Sequence, residues 1–292
     1  MVLPLGIAGS VSNALLVLDP LRDFRSADEL EFAREIARRM ARALENARLY
    51  RERDYVARTL QRSLLPISLP EVPGLDVRAL FRPAVRRHEV GGDFYDVFQT
   101  SDGRFAAVVG DVCGKGVEAA TLTGLARHTL RALADVRAPS DALRVLNVAL
   151  LRESLDGRFI TVAYVLIQPR SDGGGARLQI ASGGHPLPQR VSAGGQIERV
   201  GRHGTLLGVA PDPTLVDVEM TFEPGETLVL FTDGLLKRAE ASADVPAGLV
   251  RSLEGGPIAS ADDALGRIKG YVDEISAGGQ DDDIAVLVLR AR

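Results

Sequence analysis

Short apolar runs alternate with polar breaks through most of the chain. Runs of strand length fall at residues 77–81, 105–109, 159–167, 178–181, 227–231 and 284–289. Over residues 117–134, 140–154 and 260–275 the apolar positions instead return every three or four residues. The first pattern predicts buried strands and the second predicts amphipathic helices. Gly173-Gly174-Gly175, Gly194-Gly195 and Gly255-Gly256 mark turns between elements. The two central helices follow one another and strands follow them in series. That order predicts an α+β sandwich rather than a βαβ parallel sheet.

The N-terminal third reads differently. Residues 11–18 form an apolar run that ends at Asp19-Pro20, as a strand closed by a turn does. The first 18 residues lack a basic leader and are interrupted by Pro4, Gly6, Gly9 and Asn13, which argues against a signal peptide or a membrane span and for a cytoplasmic protein. Ser26-x-x-Glu29 is a capping box that starts a helix. Leu30, Ala33, Ala37, Met40, Leu44 and Ala47 then follow in steps of three and four, until Arg51 and Asp54 interrupt the stripe. Such a stripe serves either packing within its own domain or dimerisation through a signalling helix. Pro66, Pro70 and Pro73 end the helix in a stiff connector.

Composition narrows the class. The chain has 292 residues, 46% of them apolar and 25% charged, with 35 Lys+Arg against 39 Asp+Glu. This is a globular balance without the positive surplus that nucleic-acid binding requires. One cysteine, Cys113, rules out an internal disulfide and a multi-cysteine zinc site. It is not a phosphatase nucleophile either, since Ala119 stands where the partner arginine would be.

The chemistry is carried by aspartates at the ends of the apolar runs. Residues 105–109 lead into Gly110-Asp111, residues 228–231 lead into Thr232-Asp233-Gly234, and Asp281-Asp282-Asp283 leads into Ile284. Gly91-Gly92-Asp93-Phe94-Tyr95-Asp96 precedes a further strand at Val97-Phe98. A single carboxylate at a strand end is commonly a turn former. Several converging ones repel one another unless hard divalent cations neutralise them, and oxygen ligands without His or Cys favour Mg²⁺ or Mn²⁺. The pattern therefore predicts a metal site, binuclear as in phosphate-ester hydrolases. Gly110 to Gly116 is one residue short of a P-loop and lacks the Ser/Thr after Lys115.

Gly91-Gly92-Asp93-Phe94-Tyr95-Asp96, Gly110-Asp111-Val112-Cys113-Gly114-Lys115-Gly116, Gly183-Gly184-His185-Pro186, Thr232-Asp233-Gly234-Leu235 and Asp282-Asp283-Ile284 occur in that order. In this order they resemble the successive motifs of the metal-dependent PPM protein phosphatases, in their bacterial SpoIIE-type branch. The resemblance covers residues 75–292 and implies a four-layer αββα sandwich, preceded here by the long N-terminal helix. It implies hydrolysis of phosphoserine or phosphothreonine on a protein by a water between two Mn²⁺ or Mg²⁺ ions. Asp93, Asp111, Asp233, Asp282 and the backbone carbonyl of Val112 match the metal ligands, with Asp111 shared by both ions. Asp96, Asp281 and Asp283 read as residues that support the ligands or form turns, and Gly234 as a further support for the ligands. Lys237-Arg238 departs from the family pattern, either drawing a phosphorylated substrate or standing exposed. The family further implies a phosphorylated STAS-type anti-anti-sigma protein as substrate, a possible homodimer through the N-terminal helix, and neither nucleic acid nor membrane as partner. Residues 1–25 together with the following helix resemble the last strand and helix of a GAF sensor domain, and residues 26–74 resemble the linker that joins such sensors to these phosphatases. The alternative is a non-catalytic regulator that keeps the fold and binds a phosphorylated partner.

Overall fold

The computed structural model describes all residues except 1, 8–9, 17–25, 85–89, 136–137, 154–156, 172, 237–245 and 278–281. Asp19-Pro20, Asp281 and the Lys237-Arg238 pair lie outside the described residues. The chain forms two compact units, Met1–Arg58 and Thr59–Arg292.

In the first unit, β1 (Val2–Ile7) pairs antiparallel with β2 (Ser10–Leu16), with a bulge at Leu5/Gly6. Helix α1 (Ala27–Ser63) begins in this unit as its capping box dictates, the Glu29 N–H donating to Ser26 Oγ at 3.1 Å, while its last five residues, from Thr59 on, belong to the second unit. It runs without a break past Arg51 and Asp54. Charge at those positions interrupts the apolar stripe but removes no backbone hydrogen bond, a loss that only Pro imposes. Ala33, Ala37 and Ala41 are buried, while Phe32, Ile36, Met40 and Leu44 stand exposed at four-residue intervals. Among the described residues no helix is long and apolar enough to cross a membrane.

The second unit is a stack of layers. In chain order it holds β3 (Leu75–Arg82), β4 (Phe94–Gln99), β5 (Phe105–Val112), α2 (Val117–Leu133), α3 (Pro139–Arg152), β6 (Ile160–Pro169), β7 (Ala176–Gly183), β8 (Gln189–Val191), β9 (Ile197–Arg199), β10 (Val218–Phe222), β11 (Thr227–Phe231), α4 (Ala247–Leu253), α5 (Ala261–Ser276) and β12 (Ile284–Ala291). The strands form two five-stranded sheets, ordered β10-β7-β6-β5-β4 and β3-β12-β11-β8-β9, with antiparallel pairing throughout.

Burial on both faces explains why the central strands read as continuous apolar runs. Phe94, Val108, Leu130, Leu146 and Tyr164 fill the core between α2, α3 and the first sheet. Val109, Val165, Leu230, Leu287 and Leu289 fill the space between the sheets, and Val229, Phe231, Ile268 and Val288 lie with residues of α4 and α5 on the far side. The result is the αββα order of layers.

Register then delivers the carboxylates. Phe94 pairs with Gly110, so the start of β4, just after Asp93, lies beside the end of β5 that carries Asp111. In the other sheet Phe231 pairs with Val286, so the end of β11, just before Asp233, lies beside the start of β12, just after Asp282 and Asp283. Antiparallel pairing thus gathers at one edge four loops that are far apart in the chain.

Candidate metal centre

Asp93, Asp111 and Asp233 each offer a carboxylate oxygen, and these oxygens lie within 4.8 Å of one another. Asp93 is buried, Asp111 half-buried and Asp233 open to solvent. The close approach depends on glycine at position 92. A Cβ there would stand 2.1 Å from the Val112 carbonyl oxygen and 2.7 Å from Asp111 Oδ1, so any side chain would fill the space these oxygens share. The Val112 carbonyl therefore opens onto the same space as the carboxylates.

Electrostatics show the strain of this grouping. Desolvation, then the charge of Asp111, raises the Asp93 carboxyl well above its ordinary range, although Thr232 Oγ1 donates to its Oδ2 at 2.6 Å. Asp111 is pushed up to about 7, by desolvation first and then by the charge of Asp233. Asp233 is raised by desolvation and by Asp282. Surplus negative charge in a partly dry site is the condition that a divalent cation relieves. An all-oxygen donor set suits Mg²⁺ or Mn²⁺, so the residues present fit the ions that the sequence resemblance implies.

The other sequence candidates occupy distinct places. Asp282 lies outside the set within 4.8 Å, and Lys115 Nζ donates to its Oδ1 at 2.7 Å. Asp283 is buried beneath the edge, where its oxygens accept from the Ala84 N–H at 2.8 Å and from Gln61 Nε2 at 2.9 Å. Gln61 in turn accepts from the Gly91 N–H at 3.1 Å, which ties the end of α1 to the loop before Asp93. Gly234 packs on the backbone of Asp283; a Cβ there would lie 1.9 Å from the Asp283 carbonyl oxygen. Asp96 faces α2, where Arg131 holds it with two bonds of 2.7 Å and Arg127 donates at 3.1 and 3.2 Å. Arg131 also lies over the Phe98 ring at 4.8 Å. Asp96 thus clamps α2 to β4.

Two groups went unread in the sequence. Thr232, beside Asp233, accepts from the Ala285 N–H at 2.9 Å while donating to Asp93, and so links both sheets. His185, within the Gly183-Gly184-His185-Pro186 motif, is fully enclosed. Its Nε2 lies 3.1 Å from the Phe231 carbonyl and its Nδ1 lies 2.8 Å from Thr161 Oγ1. Those partners assign the proton to Nε2, with Nδ1 accepting from the threonine. Burial pushes its pKa down to about 3. His185→Ala is expected to cost about 3 kcal/mol in urea melts at pH 7.5, by opening a cavity and stranding buried polar partners. The folded protein keeps this imidazole neutral while the unfolded chain takes up a proton below pH 6.5. The stability it supplies is therefore full above 6.5 and is lost as pH falls toward 3. Wild type should lose more stability than the variant between pH 7.5 and 5, and equal losses would contradict a buried neutral ring.

Two antiparallel sheets between helical layers, with carboxylates gathered at one sheet edge, form the PP2C-type fold. The same fold appears in the SiaA-PP2C domain of Pseudomonas aeruginosa, with a TM-score of 0.67 and 23% identity over 86% of this chain and 100% of that one. Residues 101–292 match the family described as Stage II sporulation protein E (SpoIIE), and the chain belongs to that family. It is 31% identical over 205 residues to Protein IcfG of Synechocystis sp., covering 61% of this chain and 31% of that protein. It is 25% identical over 243 residues to the Phosphoserine phosphatase RsbU of Bacillus subtilis, covering 81% of this chain and 69% of that protein. The chain thus spans about a third of the length of IcfG.

Proposed function

We propose that the chain is an active, metal-dependent protein phosphatase that hydrolyses phosphoserine or phosphothreonine on a protein, using two Mn²⁺ or Mg²⁺ ions. The observation that carries this reading is the grouping of Asp93, Asp111 and Asp233 within 4.8 Å, with carboxyls raised by desolvation and mutual repulsion. Asp93, Asp111, Asp233 and Asp282 hold the ions, with the Val112 carbonyl as a further oxygen donor. When bound, such ions lower the pKa of a water to make a nucleophile and neutralise charge on the phosphoryl oxygens. Thr232 fixes the Asp93 carboxylate, and Gly92 keeps the space open for Asp111 and Val112. Asp283 and Gly234 set the start of β12 against the loop after β11, and so fix the spacing of Asp282 and Asp233.

Membership in the SpoIIE family and likeness to a phosphoserine phosphatase support a phosphorylated signalling protein as substrate, and we take a STAS-type anti-anti-sigma protein as that substrate. The exposed row Phe32, Ile36, Met40 and Leu44 supports pairing of two copies through α1. The β1–β2 pair and α1 support a sensor remnant followed by a linker.

Chelation followed by readdition of metal tests the central reading. Phosphate release from an aryl phosphate and from a phosphorylated STAS protein should fall at least about 100-fold in chelator and return with Mn²⁺. Undiminished hydrolysis in chelator would overturn metal dependence. Metal-restored release from the aryl phosphate alone would reject the STAS substrate.

A further inference from the structure

Lys115 lies among the carboxylates and has no role in the reading above. It sits in the loop between β5 and α2, flanked by Gly114 at φ 108° and Gly116 at φ 94°. These are left-handed conformations that let the loop turn its side chain back over the sheet edge. Its ammonium donates to Asp282 Oδ1 at 2.7 Å, and the lysine side chain is 17% exposed against 58% for the aspartate. Its charge also acts on Asp233 and Asp283, opposing the effect of desolvation on both. Asp282, the carboxylate this lysine holds, is also the candidate ligand that stands outside the grouping of Asp93, Asp111 and Asp233.

We propose that Lys115 is a built-in competitor for the divalent cation at Asp282: its ammonium pairs with this carboxylate and must give it up before a cation can take it. Lys115 thereby weakens binding at the part of the centre that needs Asp282 and leaves the part built on Asp93 and Asp111 untouched. Loading then occurs in two steps of unequal affinity, and the second responds to cation concentration in a range set by the lysine. A cation must displace a tethered positive charge, so the effect has the size of a partly exposed ion pair. The proposal rests on the reading of Asp282 as a metal ligand given above.

Calorimetric titration of the chelator-stripped full chain with Mn²⁺ tests it without reference to turnover. Lys115→Met and Lys115→Gln, which keep an unbranched stem one atom shorter and remove the charge, should tighten the weaker binding step about five- to tenfold. Lys115→Arg should leave it near the wild-type value. In an Asp282→Asn background the weaker step should be lost, and Lys115→Met should then change nothing. If Asp282→Asn weakens Mn²⁺ binding while both neutral lysine variants bind as wild type does, or more weakly, competition is refuted and the ligand reading stands. If Asp282→Asn leaves both steps unchanged, Asp282 is not a ligand and the reading beneath the proposal falls with it.

Discussion

Asp111→Asn is expected to leave less than about a thousandth of wild-type Mn²⁺-dependent phosphate release, a loss of about 4 kcal/mol in transition-state stabilisation. Asparagine preserves the shape and one oxygen of the side chain, so the loss reads the charge alone. Asp111 is the penultimate residue of β5 and is grouped with Asp93 and Asp233, with its carboxyl pushed up to about 7 by desolvation and by Asp233. Removing that charge relieves repulsion in the metal-free protein. The same variant should therefore melt higher than wild type at pH 8 in chelator while being inactive with metal. A higher melting temperature joined to lost activity separates a functional carboxylate from a structural one, because a structural carboxylate would lower both. Retention of a tenth or more of wild-type turnover would remove Asp111 from the centre of the mechanism.

The position of that aspartate was legible because the strand before it is buried on both faces. Residues 105–110 are all buried, so β5 reads as an unbroken apolar run and Asp111 stands out at its end. The same holds for β11, whose bounds match residues 227–231, and for the first six residues of β12. Legibility fails where burial is partial. In β10 exposed and half-buried residues alternate up to Phe222, and β8 and β9 have three residues each, so no apolar run announces them. Helix α4, seven residues beginning after Pro246, is likewise too short for a period to show.

Within the site, the residue types and their order were readable, but the partners were not. Lys115 meets Asp282 across 167 positions and Gln61 meets Asp283 across 222, separations at which neither periodicity nor local spacing carries a signal. Asp96 shows the converse. It lies in the same motif as Asp93, three residues on, yet strand alternation turns it to α2, where Arg127 and Arg131 satisfy it. A shared motif groups residues by sequence, whereas pleat and register decide which of them share a face.

The affinity of the stripped protein for Mn²⁺ should rise about tenfold per pH unit between 5.5 and 7 and level off above that. The reason is that the carboxyls of the centre are raised in the folded chain, with Asp111 at about 7 and Asp93 higher than its ordinary range. Below pH 7 a cation must displace at least one proton to reach these oxygens. The linkage has a definite sign in the metal-free protein. Groups whose folded values are raised supply stability that is full below the ordinary carboxylate range and is lost as pH climbs through the raised values. The stripped protein should thus lose stability from pH 5 toward 8, against the opposite pull of His185, whose contribution is complete by 6.5. Bound Mn²⁺ supplies the missing positive charge and should reverse the slope, so that the rise in melting temperature on adding metal is greater at pH 8 than at pH 6. Calorimetry at pH 6 in buffers of different ionisation enthalpy should show about one proton released per centre, falling toward none at pH 8.5. Equal affinity at pH 6 and 8 with no proton release would mean that the cation does not bind to these carboxylates. The proposed chemistry would then lack its metal.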